Sequence, residues 1–117
     1  MWLLLWACQA SNPGPAPTDA PVVDTAADPC ADLSWETAGA PFSRTWCATC
    51  HSSALSGAAR AGAPEGVNLE SEAQVLALAD RVRARALVES PTMPPVGVPP
   101  EAERVWFEAW LDCAAPP

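Results

Sequence analysis

The stretch that most constrains this chain is Cys47-Ala48-Thr49-Cys50-His51, which puts two thiols and the single histidine of the sequence within five residues. Thiols at this spacing serve three chemistries. A redox dithiol needs an attacking thiolate activated at a helix N-terminus inside a βαβ unit, and no strand-like alternating run precedes Cys47. A zinc site on Cys47, Cys50 and His51 needs a fourth ligand, usually from a second spaced Cys/His pair, and Cys30 and Cys113 are isolated and far apart.

The third chemistry uses all three side chains as they stand. Two thiols on one turn add to the vinyl groups of a single haem, and the imidazole that follows them ligates the iron. The pentapeptide is therefore read as a haem attachment site, with Cys47 and Cys50 as covalent anchors and His51 as the proximal ligand.

Charge narrows the partners. The 14 acidic residues outnumber 6 basic ones, all of them Arg, for a net charge of -8 in a chain of 117 residues. Nucleic acid is excluded as a partner, because phosphate neutralisation needs a basic face. An acidic surface favours solubility and steers basic partners. Of five cysteines, two take the haem, Cys8 ends an apolar run, and Cys30 and Cys113 are left as a possible pair. A disulfide there implies an oxidising compartment.

The first third differs from the rest. Residues 1–8 begin with a short apolar run, too short to span a bilayer and without a basic start. Leu5-Trp6-Ala7-Cys8 nevertheless looks like a bacterial lipoprotein signal, which would make Cys8 a lipidation site; Trp6 departs from that pattern, and a plain secretory signal is the alternative. Residues 9–29 interleave Pro13, Pro15, Pro17, Pro21 and Pro29 with Ala, Thr, Asp and Ser. This composition cannot bury enough surface to fold and reads as a disordered linker. At about 3.1 Å per residue it reaches roughly 65 Å.

The folded domain is expected over 30–117. Asp32 and Ser34 offer capping side chains, and Pro41 is read as the first residue of a short helix over 42–47, with Phe42 and Trp46 on one face. Residues 52–68 are glycine-rich and read as a loop around the haem edge. A carbonyl near Ala63 or Pro64 is expected to accept the second ring N–H of His51. Ser71 and Gln74 form a capping-box pattern before an apolar run from Val75 to Leu87, with Arg81, Arg83 and Arg85 as a solvated face. Met93, framed by Pro91, Pro94 and Pro95, is displayed from an extended loop and is the only methionine besides the initiator. With His51 in place it is read as the second iron ligand. The last helix is expected over 101–113, with Trp106, Phe107, Trp110 and Leu111 as packing residues.

Together, Cys47-Ala48-Thr49-Cys50-His51 on a leading helix, a middle helix, a Thr92-Met93-Pro94 loop and a closing aromatic helix resemble the class I cytochrome c family. The resemblance covers about residues 42–113. It implies an all-α fold whose first and last helices cross around one covalent haem c, with Cys47 and Cys50 as thioether anchors and His51 and Met93 as axial ligands. Cys30 and Cys113 depart from the general pattern. Both flank the implied helix crossing, and a disulfide between them is expected. The absence of Lys means that no Lys-ringed docking face carries over.

The implied function is electron transfer rather than enzymatic catalysis, because two axial side chains leave the iron no open position. A monomer on the periplasmic side of a bacterial membrane is expected, lipid-anchored or secreted, exchanging electrons with redox partner proteins. The alternatives are a haem peroxidase or small-molecule sensor with a labile Met93, or a non-haem metal-binding module on Cys47, Cys50, His51 and Met93.

Overall fold

Helical structure starts at Ser34, whose hydroxyl accepts the Thr37 N–H at 3.1 Å while the Thr37 hydroxyl oxygen accepts the Ser34 N–H at 3.0 Å. This reciprocal cap satisfies donors that a helix start leaves open. The computed structural model describes Gly14 and residues 27–117. Cys8, segment 1–8 and all of the 9–29 linker except Gly14 and residues 27–29 lie outside the described residues.

The first helix, α1, spans residues 35–47. It is wide and π-helical over Trp35–Gly39, α-helical over Ala40–Phe42 and wide again over Ser43–Cys47. Pro41 therefore lies inside the helix, not at its start as the sequence suggested. A proline has no N–H, so the Thr37 carbonyl four residues earlier loses its normal helical partner. The Trp106 indole donates to that carbonyl at 3.3 Å, so a neighbouring helix supplies the missing bond.

After α1 come a single 3-10 turn, Gly57–Arg60, and then α2 (Glu72–Ala77), α3 (Ala79–Ala86) and α4 (Glu101–Ala114). No strand is present among the described residues, so the all-α expectation holds at that level. Ser71 caps α2 as expected: its hydroxyl accepts the Gln74 N–H at 3.3 Å, and Gln74 Oε1 accepts the Ser71 N–H at 3.1 Å. The helix expected to run unbroken from Val75 to Leu87 is interrupted at Leu78, where φ is -112° and ψ is 18°. None of the described helices is long and apolar enough to cross a membrane.

The core is the contact of α1 with α4. Phe42 stacks on Phe107 with ring centroids 4.3 Å apart, and Trp35 packs on Trp110 at 5.3 Å. Phe107, Trp110 and Leu111 are at most 1% exposed. Gly39 permits this approach: a Cβ there would lie 2.4 Å from Trp35 Cε3 and 3.1 Å from Trp110 Cε2. Trp106, expected to share the packing face with Trp110, stays 47% exposed and contributes mainly its indole N–H.

Arg83 corrects the expectation of a uniformly solvated arginine face. It reaches from α3 to the end of α4, donates to the carbonyls of Leu111 (3.3 Å) and Ala115, and pairs with Asp112 at 3.1 Å. The last turn of α4 has no basic residue of its own, so Arg83 supplies the cation that the helix dipole favours. Arg81 and Arg85 are exposed as expected.

Cys30 and Cys113 are joined in a disulfide with Cα atoms 5.9 Å apart and a sequence separation of 83. In the chain-entropy account, closing such a loop stabilises the fold by about 4–5 kcal/mol. Replacing both cysteines by serine should lower the unfolding free energy by up to that amount, measured by denaturant titration, and unreduced peptide mapping should recover the linked pair from the native chain. Gly39→Val should lose about 2 kcal/mol or more in the same titration, because the rigid indoles of Trp35 and Trp110 leave no room.

Candidate functional site

The end of α1 generates the thiol turn. Cys47 is its last residue, and its carbonyl accepts the N–H groups of Cys50 at 3.1 Å and His51 at 2.8 Å. One carbonyl thus gathers the turn on which both cysteines and the imidazole sit. Both thiols are free and half-buried.

Burial pushes the Cys47 thiol up to about 12. Its place at a helix C-terminus, the negative end of the dipole, also opposes a thiolate. A redox dithiol requires the reverse of both conditions. Among the described residues, no three His, Cys, Asp or Glu side chains converge as a metal-ion site. That holds for Cys47, Cys50 and His51 as well.

His51 Nδ1 lies 2.9 Å from the Val67 carbonyl oxygen. A carbonyl only accepts, so Nδ1 carries the proton, and in the neutral form of the ring the lone pair lies on Nε2. That tautomer is the one a metal ligand needs, and the bond also fixes the ring plane. The sequence pointed to Ala63 or Pro64 for this role. Those carbonyls are engaged by Arg60, Ala63 by its Nε at 3.2 Å and Pro64 by its Nη2 at 2.7 Å.

Arg60 is the residue that sequence reading missed. It is 2% exposed and also donates to the carbonyls of Ser52 (2.6 Å) and Val67 (3.0 Å) and to Asn68 Oδ1 (3.1 Å). Its nearest carboxylate, Glu65, is 3.9 Å away and largely in solvent. The charge is therefore met chiefly by backbone dipoles. A signal existed: between His51 and Glu65, Arg60 is the only charged side chain in a run of small residues.

The loop is closed at its base. The Leu69 N–H donates to the His51 carbonyl at 2.8 Å, and the buried Ser43 hydroxyl donates to the Leu69 carbonyl. Glu70 accepts from the Ser52 hydroxyl at 2.6 Å, the Ser53 hydroxyl and the Ser53 N–H at 3.1 Å. These bonds, Ser52 first, hold its carboxyl down at about 2.

Met93 comes from a separate loop, hung on α3 by the N–H groups of Thr92 (2.9 Å) and Met93 (3.0 Å), which both donate to the Arg85 carbonyl. It is 39% exposed, and Val88, Val96 and Val98 nearby in sequence are 41%, 82% and 59% exposed. Two clefts, about 450 Å³ beside Trp35 and Cys113 and about 390 Å³ beside Leu78 and Pro116, are lined by none of Cys47, Cys50, His51 and Met93.

On donor chemistry, one turn offers two unpaired thiols and an imidazole whose Nδ1 donates to a carbonyl, while the Met93 thioether lies on a separate loop. Compared with known proteins, the chain matches no family model, no curated protein and no solved structure.

The Glu70 clamp has a pH signature. Because the folded carboxyl is held below its unfolded value, its stabilisation is present above roughly pH 4.3 and fades as the pH falls towards about 2. Glu70→Gln should be less stable than the native chain at neutral pH, and the gap should shrink between about pH 5 and 2 in denaturant titrations. A gap that stays constant over that range would remove the carboxylate from this role.

Proposed function

We propose that this chain is a single-haem electron carrier, a cytochrome c-like helical domain with haem c attached through Cys47 and Cys50 and ligated by His51 and Met93. The observation that carries the reading is the His51–Val67 hydrogen bond at 2.9 Å within a turn that also presents two free thiols. Bound there, haem c would supply a one-electron Fe(III)/Fe(II) couple. The electron comes from a reduced partner protein and passes to an oxidised one, and no covalent bond forms or breaks in the exchange.

The residues of the chain do the rest. Cys47 and Cys50 fix the group, the Val67 carbonyl holds the His51 tautomer, and the soft Met93 thioether favours the ferrous state and raises the potential. Net charge of -8 favours a basic redox partner. The Cys30–Cys113 disulfide supports an oxidising compartment, in keeping with a periplasmic location. Lipidation at Cys8, with the linker as tether, would hold the domain to a membrane surface.

One observation favours a second reading. Met93 is 39% exposed on a loop held by two backbone hydrogen bonds, which suits an exchangeable sixth ligand and hence a sensor or peroxidase. Spectra of the chain exported to a bacterial periplasm separate the two. The carrier should give a c-type pyridine haemochrome, a weak near-infrared methionine–iron band when oxidised, and no carbon monoxide binding when reduced. Met93→Ala should keep the haemochrome, lose the near-infrared band and bind carbon monoxide. Tight carbon monoxide binding by the native chain would overturn the carrier reading in favour of the sensor, and a missing haemochrome would overturn both.

A further inference from the structure

We infer that Arg60 is a positioning residue for His51, and that its buried charge holds the reduction potential of the proposed carrier up. The inference rests on the carrier reading and names a determinant of the same site.

The Val67 carbonyl oxygen accepts two hydrogen bonds, from His51 Nδ1 at 2.9 Å and from Arg60 Nη2 at 3.0 Å. A carbonyl has two lone pairs and can serve both donors. The guanidinium bond is charge-assisted, so it draws electron density from the oxygen and weakens the pull of that oxygen on the imidazole N–H. The ring then stays a neutral donor with little imidazolate character. A more basic ring would stabilise the ferric state, so this arrangement raises the potential.

The second effect has the same sign. Arg60 is 2% exposed, and its only carboxylate neighbour, Glu65 at 3.9 Å, is 71% exposed. A buried positive charge that solvent screens poorly disfavours the additional charge of the oxidised iron. The fork also donates to Ala63 O and Pro64 O, which ties the rest of the loop to the same cation.

The test uses the mature, haem-bearing full chain, its midpoint potential from an optical redox titration, and the His51 Nδ1–H proton resonance of the reduced protein. Arg60→Gln keeps amide donors and loses the charge. It should lower the potential by about 59 mV, a tenfold change in a one-electron equilibrium, and move the Nδ1–H resonance downfield as the Val67 bond strengthens. Arg60→Lys keeps the charge and loses the fork, so it should restore most of the potential. A purely structural Arg60 would destabilise both variants and leave potential and resonance unmoved, which overturns the inference. If Arg60→Gln gives no haem-bearing protein, Arg60→Lys decides: a downfield resonance with a near-native potential supports the role, and an unmoved resonance overturns it. A native chain without a c-type haemochrome overturns the carrier reading and this inference together. A normal haemochrome with an unmoved potential and resonance in Arg60→Gln overturns the inference alone.

Discussion

The crossing of α1 and α4 at Gly39 is the constraint on which the rest of this structure depends. Four aromatic rings meet there, and the missing side chain at Gly39 lets the indoles of Trp35 and Trp110 approach the α1 backbone. A domain with only about ninety folded residues buries a modest core, so the crossing carries a large share of it. Its effect extends along α1. Phe42 is locked on Phe107, and Cys47 lies on the next turns of the same rigid element, so the thiol turn is positioned by core packing rather than by loop geometry. The disulfide at Cys113 ties the far end of α4 to the chain just before α1, and so reinforces the same pair of helices.

The segment from Ser52 to Asn68 is held by a different physics. It offers few apolar side chains, so it cannot fold by burying surface against a core. Arg60 takes the place of one: a single planar fork with five donors collects carbonyls from both ends of the loop. The Glu70 clamp and the Leu69–His51 backbone bond then close its base. Removing the guanidinium would take one donor from each of these carbonyls at once, leaving Ser52 with the Leu55 N–H, Pro64 with the Val67 N–H and Val67 with His51. The loop therefore orders as a unit around one cation.

Local signals were legible in the sequence and long-range ones were not. The Ser71/Gln74 box and the limits of α4 follow from chemistry within a few residues, and the structure reproduces them. Pro41 misled because helix interiors exclude proline by local rules, whereas here a wide π register and an indole from another helix absorb the cost. Leu78 carries no breaker signal; its interruption of the helix depends on packing. The acceptor for His51 is Val67 rather than Ala63 or Pro64, a pairing across 16 residues that exists only once the loop is folded. Cys47, Cys50 and His51 were readable as a unit because they share one turn, while Met93 lies on a separate loop whose anchor, the Arg85 carbonyl, leaves no mark in the sequence.

The two halves of the candidate site are consequently unequal in stiffness. His51 is backed by the thiol turn, by Val67 and through α1 by the aromatic core. Met93 sits on a loop hung from Arg85 by two backbone bonds, and Arg104 of α4 donates to the Val88 carbonyl at 3.3 Å. Segments with few buried apolar contacts open at lower free energy than the core does. The loop that carries Met93 therefore opens locally at lower cost, whereas moving the thiol turn and His51 requires disruption of the α1–α4 crossing.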